Sequence, residues 1–131
     1  MSAATESLVS LDAIRAAASR IAGIAVRTPL VRAPFSGATG EVWLKAESLQ
    51  PIGAFKIRGA ANKILQLSPE EIDRGVITYS SGNHAQGVAY AARAVGARAV
   101  IVMPSNAPAI KRASTMALGA EVVIVGPASS E

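Results

Sequence analysis

VITYSSGNHAQGVAYAARAVGARAVIVM, residues 76–103, sets the architecture of this chain. Its first four residues, Val76–Tyr79, form an apolar, β-rich run that reads as a strand. Residues 83–95 then carry helical periodicity, with Val88, Ala92 and Val95 on one face and Gln86, Tyr90 and Arg93 opposite. A second apolar run, residues 99–103, closes the unit. Two strands joined by a helix of this length fit a right-handed crossover between parallel neighbours. Between the first strand and the helix lies Ser80-Ser81-Gly82-Asn83. In an open α/β sheet, that is the end of the strands where ligands bind.

The pattern repeats downstream. Residues 107–118 read as a helix, with Pro108 at its start and Gly119 at its end, and residues 121–125 as a strand. The result is β-α-β-α-β. Continuous apolar strands of this kind predict a parallel sheet with helices on both faces. Upstream, residues 11–22 read as a helix, with Ser10 as N-cap and Gly23 as stop. Pro29 and Pro34 make 26–35 extended or turning, Gly37 and Gly40 flank a turn, and residues 41–47 alternate like a strand. A further helix is expected from near Phe55 to about Leu67. Ser68-Pro69-Glu70-Glu71 is a capping-box sequence that should open one short helical turn.

With 131 residues, half of them hydrophobic and 4% aromatic, the chain is long enough for one aliphatic core. It has no cysteine, which excludes disulfides, thiolate metal sites and cysteine nucleophiles. Its single histidine, His84, argues against a metal cluster, so no metal is expected. The net charge of +4 is scattered, with no basic run interleaved with aromatics, so nucleic acid is not an expected partner. No segment reads as a signal peptide, and none approaches the roughly 18 apolar residues of a membrane span. A cytoplasmic protein without membrane attachment is the expectation.

Two stretches could carry chemistry. At the strand-to-helix turn, Ser80, Ser81, Gly82, Asn83 and His84 would offer backbone N–H groups at a helix N-terminus, which suits a carboxylate or phosphate. The same residue types are ordinary helix caps. PIGAFKIRGA, residues 51–60, sets Lys56 between Phe55 and Ile57. A lysine there is either a solvated helix charge or a nucleophilic amine.

Taken together and in this order, PIGAFKIRGA and SSGNHAQGVAYAA resemble the fold-type II pyridoxal phosphate enzymes, and within them the threonine/serine dehydratases and serine racemases. RTPL (27–30), LKAESLQ (44–50) and VMPSNAPAIKRASTMALGAEVVIVG (102–126) follow the same order, so the likeness runs from about Leu11 onward. It implies a three-layer, parallel β-α-β-α-β sheet of the tryptophan synthase β-like type, incomplete in this chain. Residues 1–48 would belong to the large domain and 49–131 to most of the small domain. The implied activity is pyridoxal phosphate-dependent β-elimination of L-threonine or L-serine to a 2-keto acid and ammonia.

By the same resemblance, Lys56 would bond the cofactor and move the substrate's α-proton. Phe55 would pack beside the cofactor ring, and Asn83 would bond its phenolic oxygen. Ser80, Ser81, Gly82, Asn83 and His84 would surround the substrate carboxylate, and Ser81 would be a second acid/base in a racemase. The full-length form would be a homo-oligomer. Three departures stand out. Ala54 replaces the family's usual serine before Phe-Lys, no glycine-rich run is present to hold a phosphate, and family members are more than twice as long. Ser81 leaves an amino-acid racemase as one alternative, and the missing phosphate loop supports another, a non-catalytic fragment or binding module. A mononucleotide-binding domain lacks its GxGxxG or P-loop here.

Overall fold

The computed structural model describes residues 9–34 and 39–127. The turn expected around Gly37 lies outside them. Helix α1 spans Leu11–Arg20, and the Ser10 hydroxyl accepts the Ala13 N–H at 3.1 Å, so the expected N-cap is in place. Strands β1 (Leu30–Ala33) and β2 (Val42–Lys45) pair antiparallel, with Leu30 opposite Lys45 and Ala33 opposite Val42. The sequence suggested two extended segments, but their pairing depends on a long-range register that neither segment encodes alone.

Helix α2 spans Lys56–Ile64 and α3 spans Pro69–Arg74. Both halves of the α3 capping box form: Glu71 N–H donates to the Ser68 hydroxyl, and Ser68 N–H donates to the Glu71 carboxylate. Strands β3 (Val76–Tyr79), β4 (Ala99–Pro104) and β5 (Glu121–Val125) form a parallel sheet in that order. Helices α4 (Asn83–Ala94) and α5 (Ala109–Ala117) make the crossovers. The β-α-β-α-β reading is therefore borne out, with element ends within about two residues.

Helix α4 is the centre of the molecule. It packs against α2 on one side and against β3 and β4 on another. Ala85, Val88, Ala89, Ala91 and Ala92 join Ala60, Ala61 and Ile64 of α2 and Ile101 and Met103 of β4 in one core. Small side chains let α2 and α4 approach closely. At Gly87 an added Cβ would stand 3.2 Å from the Lys56 carbonyl oxygen. With neighbours on two sides, α4 has little solvent face. Gln86, placed by periodicity on a polar face, is buried, and its Nε2 has no partner among the described residues.

The helices α4 and α5 contact each other as well as the sheet, so they share one face of it. On the opposite face Ile77 and Tyr79 are 72% and 56% exposed. Among the described residues, the expected two-sided cover is thus present on one side only.

Candidate functional site

Two helix starts make the site. The first is that of α2, where Lys56 is the first helical residue and Phe55 precedes it, both exposed. The Lys56 Nζ lies 5.5 Å from the centroid of the Phe55 ring, within cation–π range. Ala54, in the position of the family's usual serine, is buried.

The second is the β3–α4 turn. Here Ser80 N–H donates to the Val102 carbonyl at 3.0 Å, which continues the sheet by one residue. The Ser80 hydroxyl accepts N–H groups from Gly82 and Ala85, each at 3.3 Å, and so caps α4 from outside the helix. Ser81 and Asn83 are exposed, while Gly82 and His84 are half-buried. Asn83 Oδ1 accepts from Lys111 Nζ at 2.6 Å. Lysine is only a donor, so this bond fixes the amide's orientation and leaves Nδ2 as the group available to a ligand.

A cavity of about 700 Å³ lies between α2, β3 and α4. Phe55 lines it from just before α2; Lys56, Arg58, Gly59 and Lys63 line it from α2, Ile77 and Thr78 from β3, and His84 and Val88 from α4. It falls in the size range of small-molecule sites. The structure thus brings Phe55, Lys56 and His84 to one cavity. Ser80, Ser81, Gly82 and Asn83 are not among its lining residues and sit on the neighbouring turn.

Sequence reading gave no role to Lys111, Gly87 or the pair Glu47–Arg58. A signal existed for Lys111. Residues just after adjacent parallel strands gather at one end of a sheet, and Lys111 follows β4 as Asn83 follows β3. Glu47 accepts from Arg58 Nε and Nη2, both at 2.8 Å. Those bonds, helped by Thr28 and Gln50 and opposed by burial, hold its carboxyl down at about 2.

Fold and site together describe a parallel α/β protein with an accessible lysine at one helix start and a Ser-Ser-Gly-Asn turn at the next. The chain belongs to the pyridoxal-phosphate dependent enzyme family, whose profile matches residues 21–131. It is 50% identical over 115 residues to "Threonine dehydratase 1 biosynthetic, chloroplastic" of Solanum lycopersicum, covering 86% of this chain and 19% of that protein. Among solved structures, it resembles the processed form of threonine deaminase isoform 2 from Solanum lycopersicum with TM-score 0.76 and 38% identity, over 91% of this chain and 37% of that one. It also resembles maize serine racemase with TM-score 0.82 and 40% identity, over 90% of this chain and 36% of that one. The fold-type II reading and the expected cofactor are thereby borne out. The chain spans between about a fifth and two fifths of these relatives.

The residues present fit part of the cofactor. An exposed lysine on the cavity rim, an adjoining aromatic ring and an oriented Asn83 amide suit the aldehyde, the ring and the phenolic oxygen. A glycine-rich cradle for the phosphate is absent from the sequence.

Proposed function

We propose that this chain carries the lysine-bearing half-site of a threonine/serine dehydratase. The reaction removes the α-proton and the β-hydroxyl of L-threonine or L-serine as water. Hydrolysis then gives a 2-keto acid and ammonia. Pyridoxal phosphate, when bound, supplies the electron sink that makes the α C–H acidic.

The chain's own residues have separable tasks. Lys56 Nζ would hold the cofactor at its aldehyde carbon and, once the substrate's own amine has displaced it there, would be the free amine that takes the α-proton. Phe55 would pack beside the cofactor ring. Asn83 Nδ2 would donate to its phenolic oxygen. The amides of Ser81, Asn83 and His84, with Gly82 between, receive the substrate carboxylate at the start of α4. Ser80 serves as their frame, because its own N–H is committed to Val102. One observation carries the reading: Phe55, Lys56 and His84 meet at one cavity next to the Ser-Ser-Gly-Asn turn.

The exposed Ser81 hydroxyl and the likeness to maize serine racemase favour racemisation as a second activity. Residues 1–48 and 49–131 are read as parts of two domains, joined in the full-length protein into a cytoplasmic homo-oligomer. No residue of this chain is proposed as a metal ligand, and neither nucleic acid nor membrane is a proposed partner. No described helix is long and apolar enough to cross a membrane.

The test is a full-length enzyme that contains this segment, assayed on threonine and serine. Lys56→Ala should abolish keto-acid formation, and Ser81→Ala should remove racemisation while sparing elimination. Keto-acid formation that survives Lys56→Ala would refute the dehydratase reading. Equal loss of both activities in Ser81→Ala would refute the role given to Ser81.

A further inference from the structure

The start of α2 breaks the local rules for starting a helix. Its N-cap is Phe55, which makes no side-chain capping bond. Its first turn holds no acidic residue, yet it carries Lys56 and Arg58 at the positive end of the helix dipole. Local chemistry therefore does not hold Lys56 in place, and something distant must.

The distant partner is Glu47, in the 3-10 turn Glu47–Leu49 that follows β2. One carboxylate oxygen accepts from Arg58 Nη2 at 2.8 Å and from the Thr28 hydroxyl at 2.5 Å. The other accepts from Arg58 Nε at 2.8 Å and from Gln50 Nε2 at 3.2 Å. A carboxylate has about four acceptor sites, so Glu47 is saturated. The two parallel Arg58 bonds form a planar fork that lysine cannot reproduce. Arg58 Nη2 also donates to the Val26 carbonyl at 2.9 Å, and Gln50 grips both Val26 N–H and C=O at 2.9 and 2.7 Å. Thr28 and Gln50 are each only 3% exposed, which places the network among the buried polar groups that must be paired.

Three sequence stretches thus converge: RTPL through Thr28, LKAESLQ through Glu47 and Gln50, and FKIRGA through Arg58. We propose that Glu47 and Arg58 are positioning residues for Lys56: their fork, completed by Thr28 and Gln50, clamps the first turn of α2 so that the lysine stays on the cavity rim. The clamp acts from one side of α2, and Gly87 of α4 abuts the Lys56 carbonyl from another. The importance of the clamp for catalysis rests on the function proposed above; its hold on the helix does not.

The experiment reads both claims separately on the 131-residue chain. Arg58→Lys keeps the charge and loses the fork, and Glu47→Gln keeps the shape and loses the charge. Amide hydrogen exchange is followed along the chain in wild type and both variants. The clamp predicts exchange at residues 58–60, the first amides of the helix with backbone acceptors, faster by roughly tenfold or more, with the protected amides of α4 and β4 unchanged. Unchanged exchange at 58–60, or an equal rise through α4 and β4, overturns it. On the same samples, pyridoxal phosphate with borohydride should label Lys56 less in each variant than in wild type, with Lys63 unaffected. Wild-type label spread over all lysines would count against the proposed function, while the exchange result would still decide the clamp. Undiminished Lys56 labelling in variants with a loosened first turn would overturn the positioning role.

Discussion

Helices α2 and α3 are neighbours in the chain and opposites in construction. Helix α3 follows every local rule. Ser68 caps it, Pro69 opens it, Glu70 and Glu71 sit at its positive end, Arg74 sits at its negative end, and Gly75 stops it. None of its residues is buried. Helix α2 has no side-chain cap, two cations at its positive end and an exposed glycine, Gly59, in its interior. Yet it buries Ile57, Ala60, Ala61 and Ile64 and carries the lysine. A helix that satisfies itself locally is free of the rest of the molecule. A helix that does not is held by distant residues, and so its first residue has a fixed place.

Substitutions can set the two helices further apart or erase their contrast, starting with the end of α3. Gly75 has φ +82°, and an added Cβ would meet the Arg98 carbonyl oxygen at 2.7 Å. Since Val76 N–H donates to that same carbonyl, the backbone there has little freedom to yield. Gly75→Ala should cost about 3 kcal/mol or more in a denaturant titration. A cost below about 1 kcal/mol would mean that the α3–β3 junction relaxes freely.

The next largest effect is a pH dependence that belongs to Glu47 and its hold on α2. Arg58, with Thr28 and Gln50, holds Glu47 at about 2 in the folded chain against an ordinary 4.5. A carboxyl with a depressed folded value adds stability above its unfolded value and loses it as pH falls toward the folded one. Wild type should therefore lose stability relative to Glu47→Gln between about pH 4.5 and 2. Parallel pH profiles for the two proteins would show that the pair contributes no net stability.

Smaller changes probe the local rules themselves. Ser68→Ala removes the α3 cap and should cost about 1 kcal/mol, with Lys56 labelling unaltered. Gly59→Ala should stabilise the chain by roughly 0.5–1 kcal/mol, because an added Cβ meets nothing within 4 Å and alanine is the better helix former. Destabilisation would show that the exposed face of α2 is more crowded than this structure has it.

The same contrast explains how much was legible in the sequence. Strands β3–β5, helices α4 and α5 and the α3 capping box were readable because periodicity and caps are local signals. The two central motifs were readable because their residue types and order are distinctive. The burial of Gln86 was not, since a helical wheel shows one apolar face and cannot anticipate neighbours on two sides. The Glu47–Arg58 fork was hidden for a related reason. Its partners come from three segments, each of which reads as ordinary polar sequence, and only the folded chain superimposes them. Lys111 lies 28 positions from Asn83, and only the parallel strand order brings them together.

Whether Lys56 is set apart from the other lysines is read by mapping the borohydride-trapped pyridoxal phosphate adduct on the 131-residue chain. There are four lysines, Lys45, Lys56, Lys63 and Lys111. Two are engaged elsewhere, Lys45 with the Thr28 carbonyl and Lys111 with Asn83; Lys56 and Lys63 both line the cavity, and of these Lys56 stands at the start of α2 beside Phe55. The label is expected to fall chiefly on Lys56. Label distributed over all four lysines, or unchanged in total amount after Lys56→Ala, would contradict the half-site built on that residue.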